Sequence, residues 1–410
     1  MRVLIVAPYL PWPPNFGGAA RIYHLIRGLQ AEHEVITLCL CGPQDDPRQA
    51  EANLGRIVAI PVPVTARMEP GRAKRLGQLR SLASPHSFQH RLSIQRQAQE
   101  ALYRIIERDR PTVAQLEFSQ LGAYRVPPGT ASVLDVHNIE HDVLRQVARR
   151  GSVSPLRRIF NELEFRKLRR EEWAAWRRAT ICVATSPPDA STIERVTQRA
   201  VPVIPNGVDL ELFPRVTLER ADPNRLIFVG AMRYQPNADA ARFAALEILP
   251  RLRERLPQAT LTLAGAGPPE AVRQLAALPG VTVTGTLPDV RPAVVAAGIV
   301  VVPLMTGGGT RLKILEAFAM GRPVVSTPLG AAGIEARDGE HLLLASDPAE
   351  FVEAVQRLHD FPELASRLTD AAYRLVQDRY QWKTIAQQLV GVYLQATISP
   401  SPLVGEGARG

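Results

Sequence analysis

The stretch VVVPLMTGGGTRLKILEA, residues 300–317, decides the fold that this sequence predicts. Three valines form a short apolar run, three glycines follow, and a helical pattern begins near Thr310. A strand that passes through a loop into a helix is the repeating unit of parallel α/β folds. Because exposed amides at a helix start bind anions, we expect Gly308, Gly309 and Thr310 to hold a phosphate group.

Two charged residues of the predicted helix add to this site. Lys313 and Glu316 lie three positions apart and share one helix face, where an ammonium can meet phosphates and a carboxylate can accept ribose hydroxyls. The chain has 45 arginines and only four lysines, and the compact charge of a lysine suits a phosphate. The alternative is a surface ion pair between the two residues.

On both sides of this stretch, short β-branched runs alternate with helical patterns, which indicates parallel α/β units. Strands are predicted at residues 3–7, 35–40, 113–116, 132–136 and 180–184, and again at 226–229, 261–264, 281–284, 299–303 and 323–326. The Pro-rich segment 201–214 separates the two series. The prediction is therefore an α/β protein with two Rossmann-like, doubly wound sheets facing a cleft, and with ligands at the carboxyl ends of the strands.

The first domain is predicted to span residues 1–203 and the second residues 204–379. A helix at about residues 380–396 is expected to cross back and pack on the first domain. The tail at residues 399–410 is rich in Pro, Gly and Ser and is predicted to be disordered.

Composition is typical of a globular protein, with 46% apolar and 6% aromatic residues among 410. Cys39, Cys41 and Cys182 lie in apolar runs without metal-ligand spacing, so we expect buried thiols in a reducing compartment. The apolar start is too short for a signal peptide, and no apolar run reaches the roughly 18 residues of a membrane span. The predicted location is the cytoplasm. A peripheral position on the inner face of the cell membrane is compatible with this prediction.

The net charge of +9 is concentrated in two segments. Residues 66–110 carry ten basic and four acidic side chains, and residues 145–178 carry eleven and four. Such segments suggest an anionic membrane surface, a lipid-linked phosphate or nucleic acid, although the aromatic motifs of nucleic-acid binding are missing. An apolar stripe in the second segment either lies on the membrane or faces the core; it comprises Leu156, Ile159, Phe160, Leu163, Trp173 and Trp176.

Three further groups of residues are candidates for binding. Gly17 and Gly18 precede a helical pattern and could bring backbone amides close to a ligand, or form a simple turn. His137 follows an apolar strand, at the end of the sheet where sites of this fold lie. Asn206 belongs to an Asn-Gly turn, and its spacing indicates no more than a turn.

Together these motifs resemble the retaining glycosyltransferases of family 4, which have the GT-B fold, over nearly the whole chain. The most specific motif is LEAFAMGRPVV at residues 315–325, which matches the family's Glu-Ala-x-Ala-x-Gly-x-Pro-Val-Val run. It is accompanied by the Gly-Gly loop at 17–18, His-Asn at 137–138, Pro-Asn-Gly-Val-Asp at 205–209 and Phe-Val-Gly at 228–230.

The resemblance implies binding of a nucleoside diphosphate sugar without a protein-bound metal or other cofactor. Lys313 and Arg311 would neutralise the leaving diphosphate, and His137 would lie near the reacting sugar. Donor contacts are implied for Gly17, Gly18, Asn206, Gly230, Arg233, Gly308, Gly309, Thr310 and Glu316. The implied acceptor is a saccharide or a polyprenyl-diphosphate-linked sugar in the biosynthesis of envelope or surface polysaccharide.

The sequence departs from the family pattern at two places. Gly308 stands eight positions before Glu316, where the family has a second Glu, and Ala231 and Asn237 stand near positions where it has Arg and Lys. Arg233 is expected to compensate. The departures leave two alternatives open: a non-catalytic nucleotide-sugar-binding partner in a polysaccharide assembly complex, and a nucleotide-sugar epimerase of the same fold.

Overall fold

The computed structural model describes residues 1–62, 72–150, 155–308 and 311–399, except for the side chains of 72–76, 147–150, 155 and 156. The chain forms two compact units. The first comprises Met1–Pro205 and the described residues from Ile385 onward, and the second comprises Asn206–Thr384. All but the first residue of the tail predicted to be disordered, 399–410, lies outside the described residues.

Six parallel strands form the sheet of the first unit. They are β1 (Arg2–Ala7), β2 (Glu34–Cys41), β3 (Ile57–Pro61), β4 (Val113–Glu117), β5 (Ala131–Val136) and β6 (Ile181–Ala184). Their order across the sheet is β3-β2-β1-β4-β5-β6. Strands β1, β4 and β5 are buried almost throughout, because helices cover both faces of a doubly wound sheet.

The second unit repeats this arrangement. Its strands are β7 (Asp222–Val229), β8 (Thr260–Ala264), β9 (Val281–Gly285), β10 (Ala297–Val302), β11 (Val324–Ser326) and β12 (Leu343–Leu344), in the order β12-β11-β10-β7-β8-β9. In each sheet the strand order reverses between the first and fourth strands, at β1/β4 and at β7/β10. Ligands bind beyond the carboxyl ends of the strands at such a reversal, so these two pairs mark where a site is expected.

Helices connect the strands. In the first unit they are α1 (Gly17–Leu29), α2 (Pro47–Leu54), α3 (Arg72–Leu82), α4 (Phe88–Ser93), α5 (Arg96–Asp109), α6 (Glu140–Arg150), α7 (Pro155–Arg178) and α8 (Pro187–Thr197). In the second unit they are α9 (Gln235–Phe243), α10 (Leu249–Arg255), α11 (Glu270–Arg273), α12 (Arg291–Ala296), α13 (Leu312–Ala319), α14 (Pro328–Ala331), α15 (Pro348–Asp360) and α16 (Pro362–Arg379). The last helix, α17 (Trp382–Ile398), begins in the second unit and continues in the first.

The predicted fold class of two doubly wound parallel sheets is confirmed. Two strands were missed: β3 lies at a sheet edge with half-buried side chains, and β12 has only two residues. The three cysteines are buried and not disulfide-bonded, as expected. Within the described part of the chain, we find no helix with the length and apolar character that a membrane span requires.

The apolar stripe predicted along α7 does not form a single face, so that prediction is wrong. Trp176 is fully buried and donates a 2.9 Å hydrogen bond to Ser119 Oγ, because the C-terminal part of α7 packs against residues 119–123. Ile159 and Leu163, nearer the start of the helix, are 60% and 39% exposed. Burial therefore separates Trp176 from the exposed aliphatic residues of the same helix, while the side chain of Leu156 lies outside the described ones.

Candidate functional site

In the second unit, β10 leads through the Gly-rich loop into α13. Gly307 has φ +124°, a conformation that glycine adopts without strain. The helix begins at Leu312, with Arg311 in the extended cap position. The Arg311 guanidinium folds over the loop and donates to the carbonyl oxygen of Gly308. Gly309 and Thr310, predicted as phosphate ligands, lie outside the described residues.

Lys313 lies in the first turn of α13. Its half-buried ammonium donates a 2.9 Å hydrogen bond to Asn237 Oδ1 and lies 4.3 Å from the centre of the Phe228 ring. Both residues of the predicted pair are described, yet no ion pair forms between them. The alternative of a simple surface pair is therefore not what the structure shows. Lys313 is instead bound to the β7 side of the unit.

Gly230, directly after β7, allows this close approach. A Cβ atom at Gly230 would lie 2.9 Å from Lys313 Nζ and 2.8 Å from Asn237 Cγ, so a larger residue would displace these two side chains. The backbone at Gly230 is held by a hydrogen bond to the end of β8, because Gly230 N donates to Ala264 O at 2.9 Å. Strands β7 and β10 are the pair at which this sheet reverses, so Gly230 and Lys313 meet where the fold predicts a ligand.

In the free protein, burial disfavours the charged forms of Lys313 and Glu316. Burial, together with the nearby Arg311, lowers the pKa of Lys313 to about 7, although Glu316 acts in the opposite direction. Burial raises the pKa of the half-buried Glu316 to about 7, opposed by Lys313. An anion beside Lys313 would favour the charged ammonium, so the site is built to gain from binding one.

The other donor contacts implied for the second unit are placed differently. Arg233 is exposed beside Gly267 and makes no hydrogen bond with another described residue. Asn206 is half-buried in the turn before Gly207, where a Cβ atom would lie 2.9 Å from Trp382. The Asn-Gly turn thus has a packing role against the start of α17. Binding roles for Asn206 and Arg233 stay predictions.

In the first unit, His137 follows β5 and is only 6% exposed. Its Nε2 lies 2.7 Å from Glu117 Oε2, at the end of β4. The Phe118 ring covers the imidazole with a centroid distance of 3.8 Å. Phe118 has φ +68°, an uncommon conformation for a residue with a side chain, which costs about 1–3 kcal/mol. Such strain at a strand tip is typical of functional sites.

Asp135, Glu117 and His137 place three possible metal ligands near one another. Asp135 is already bound by Arg21, whose guanidinium donates to both carboxylate oxygens at 2.9 and 3.0 Å with both side chains buried. Glu117 accepts from Gln115 Nε2 at 2.6 Å in addition to its contact with His137. These partners and the charge of Arg21 favour a hydrogen-bonded cluster over a cation site.

The predicted glycines of the first unit begin α1 beside this cluster. A Cβ atom at Gly18 would lie 2.2 Å from Tyr9 Oη and 3.1 Å from Phe118 Cζ, so a larger residue would displace the Tyr9 side chain. Gly17 is exposed at the first helical position, and the cap residue Phe16 makes no side-chain hydrogen bond to the helix. Gly18 therefore has the turn and packing role that was the alternative, and ligand contacts of Gly17 and Gly18 stay predictions.

Sequence reasoning missed the residues that hold Lys313 and His137. Asn237 stands near a position where a lysine was expected, and it accepts the hydrogen bond of Lys313. Glu117 and Gln115 are polar residues at alternate positions of a fully buried strand, a pattern that could have marked them. Arg21 could have been found as a charged residue within the apolar face of α1.

Family comparisons cover both units. The model of the family described as "Glycosyltransferase Family 4" matches residues 16–212, and that of the family described as "Glycosyl transferases group 1" matches residues 223–360. Among curated proteins, a D-inositol 3-phosphate glycosyltransferase of Thermomonospora curvata is 33% identical over 224 residues, covering 48% of this chain and 52% of the relative. A glycogen synthase of Mycobacterium tuberculosis is 29% identical over 206 residues, covering 48% and 49%. The chain thus spans about half the length of the curated relatives it matches.

Solved structures are similar over a larger part of the chain. Sucrose-phosphate synthase from Thermosynechococcus elongatus has a TM-score of 0.68 at 19% identity, covering 96% of this chain and 98% of that one. Anabaena HepE in complex with UDP has a TM-score of 0.66 at 14% identity, covering 96% and 100%. At these identities the similarity establishes the fold.

Proposed function

The chain belongs to the glycosyltransferases of family 4, and we propose that it transfers a sugar, with retention, from a nucleoside diphosphate sugar to a saccharide or lipid-linked acceptor. The observation that carries this proposal is Lys313, an ammonium whose hydrogen bond goes to the neutral Asn237 at the sheet reversal. Leaving-group charge develops on the diphosphate during transfer. A fixed cation next to it lowers the barrier without a protein-bound metal.

Each unit contributes separately to this function. In the second unit, Lys313 and the start of α13 bind the diphosphate, and Glu316 accepts hydrogen bonds from the ribose. In the first unit, His137 binds a hydroxyl group of a sugar.

Because solved HepE complexes contain UDP and UDP-glucose, UDP is the first nucleotide to test. The names of the reported relatives differ, since one is a D-inositol 3-phosphate glycosyltransferase and another a glycogen synthase, so the choice of acceptor rests on the family resemblance.

Thermal unfolding of the wild type and of Lys313→Ala, measured with UDP, GDP, ADP, NAD and the corresponding nucleotide sugars, tests the proposal. A ligand at about 100 times its Kd adds about 2.7 kcal/mol to the free energy of unfolding. We expect one nucleoside diphosphate to stabilise the wild type and not the variant. Stabilisation by NAD alone, or by none of the compounds, would remove the main support for sugar transfer.

The missing family Glu at Gly308 favours one second candidate, a partner that binds nucleotide sugars without catalysis. Donor binding would then depend on Lys313 as described, but no sugar would leave the diphosphate. Release of nucleoside diphosphate in the presence of acceptor oligosaccharides separates the two functions. Turnover supports the transferase, and binding without turnover supports the partner.

An anionic membrane surface is a proposed partner of the first unit. Ile159 on α7 and Leu79 on α3 are 60% and 64% exposed, in the most basic parts of the chain. The two helices are joined by a hydrogen bond from Lys167 Nζ to Ser81 O at 2.6 Å. Apolar side chains among basic ones are typical of helices that lie in a membrane interface.

We expect the protein to float with vesicles that contain phosphatidylglycerol and to remain in solution with pure phosphatidylcholine. The double variant Leu79→Ser/Ile159→Ser should reduce the floated fraction several-fold, because insertion of apolar area adds to charge attraction. Leu246→Ser, a 41% exposed leucine of the second unit, is the matched control. Equal flotation of both variants and the wild type, or none with anionic vesicles, would contradict the membrane contact.

A further inference from the structure

A buried series of hydrogen bonds connects α17 to His137 within the first unit. Tyr393 Oη donates to Gln115 Oε1 at 2.5 Å, and Gln115 Nε2 donates to Glu117 Oε1 at 2.6 Å. The second oxygen of Glu117 lies 2.7 Å from His137 Nε2. Tyr393, Gln115 and Glu117 are fully buried, so water does not compete for these bonds.

The chemistry of the groups fixes the direction of the series. A carboxylate only accepts, so the amide nitrogen of Gln115 faces Glu117 and its oxygen faces the Tyr393 hydroxyl. Burial and the nearby Glu117 and Asp135 hold the pKa of Tyr393 well above its usual range, which keeps the hydroxyl a donor, although Arg21 acts in the opposite direction. Because Glu117 Oε2 is the remaining acceptor, its contact with His137 calls for a hydrogen on Nε2.

His137 is also held from other directions. Phe118 covers one face of the ring, and its backbone N donates to Asp135 O at 2.9 Å, which fixes the strained conformation at residue 118. Thr185 Oγ1 donates to His137 O at 3.0 Å. The ring is therefore bound at one edge and packed on one face, while Nδ1 makes no hydrogen bond with another described residue.

We propose that Glu117, Gln115 and Tyr393 are positioning residues that lock His137 in the Nε2–H tautomer and present Nδ1 as the ring atom that binds a sugar hydroxyl. This inference rests on the proposed function for the identity of the ligand, but not for the tautomer. It also assigns a role to α17, since a residue of the last helix determines which ring atom faces the ligand.

Nitrogen NMR of protein labelled with ¹⁵N-histidine measures the tautomer without any substrate. The chain has eight histidines, and the His137 signals are identified by their loss in His137→Gln. We expect hydrogen on Nε2 in the wild type. Glu117→Gln should give a mixture of tautomers, because an amide at 117 can donate as well as accept, and Tyr393→Phe should give a smaller shift in the same direction. Hydrogen on Nδ1 in the wild type, or unchanged spectra in both variants, would overturn the proposal.

Kinetics provide the second readout. Glu117→Gln should lower kcat about tenfold and Tyr393→Phe about threefold, with the donor KM unchanged, and neither should add to the loss caused by His137→Gln. Tyr124→Phe is the control, since Tyr124 is a buried tyrosine of the same unit whose hydroxyl donates to Ser93 O at 2.9 Å. If Tyr124→Phe and Tyr393→Phe lowered kcat equally, the hydrogen bonds from Tyr393 to His137 would contribute to stability alone, and the positioning role would be wrong. If no donor supports transfer, the proposed function fails, while the NMR result still decides the tautomer.

Discussion

Replacing Lys313 by alanine lowers kcat/KM for the nucleotide sugar by about 10²- to 10³-fold, the usual loss when one fixed donor to developing charge is removed. Lys313 lies in the first turn of α13, next to the sheet reversal, and Asn237 of α9 accepts the hydrogen bond of its ammonium. We expect the thermal stability of the ligand-free variant to change much less than its turnover, because the desolvation cost of a half-buried ammonium disappears with it.

The effect of pH provides a check on the same residue. In the free protein the pKa of Lys313 is lowered to about 7, chiefly by burial, and a bound diphosphate favours the charged form and raises it again. Above pH 7 binding must therefore take up a proton, so donor affinity falls as the pH rises, by up to about tenfold per unit. Calorimetry in two buffers of different ionisation enthalpy measures this proton uptake.

The control for both measurements is Lys383→Ala, which removes an exposed lysine of α17. It should leave turnover and proton uptake unchanged. If Lys313→Ala also turned over at the wild-type rate, the diphosphate would have to be held elsewhere, and the assignment of this site would be wrong.

Replacing His137 by alanine lowers kcat by about 10²-fold, within the range of a positioned side chain that exchanges a hydrogen bond or proton with a substrate. The imidazole is almost fully buried between Glu117 and Phe118, so its position is set before a ligand binds. Removing it leaves Glu117 Oε2 without the contact to His137, while Oε1 still accepts from Gln115. We therefore expect a lower melting temperature as well.

Steady-state kinetics and thermal unfolding of His137→Ala and His137→Gln separate catalysis from stability. The glutamine variant can still donate to Glu117, so it should recover most of the melting temperature and little of kcat. His359→Ala, at a partly exposed histidine next to Asp360, serves as the control. Recovery of both quantities by glutamine would mean that His137 is only a structural partner of Glu117.

The sequence predicted much of the fold because its signals are local. Apolar β-branched runs marked ten of the twelve described strands, and the helical pattern after residue 310 marked α13. Strand β12 escaped because a two-residue strand carries almost no periodic signal. The stripe on α7 was misjudged because helical spacing tells which residues share a face, but not where along a helix a neighbour packs.

The candidate site was predicted in part. Lys313 was recognised from its type and spacing, whereas its partner Asn237 lies 76 residues away, in the segment after a different strand. Tyr393 and Gln115 are separated by 278 residues, so only the fold brings them together. Contacts of this kind depend on the order of strands in the sheet and have no counterpart in local sequence patterns.

A crystal structure with the nucleoside diphosphate that most strongly stabilises the protein tests the central claim most directly. We expect the diphosphate oxygens at the start of α13, within about 3 Å of Lys313 Nζ, and the ribose hydroxyls next to Glu316. A diphosphate bound in the first unit against Gly17 and Gly18, with Lys313 still paired only to Asn237, would contradict it.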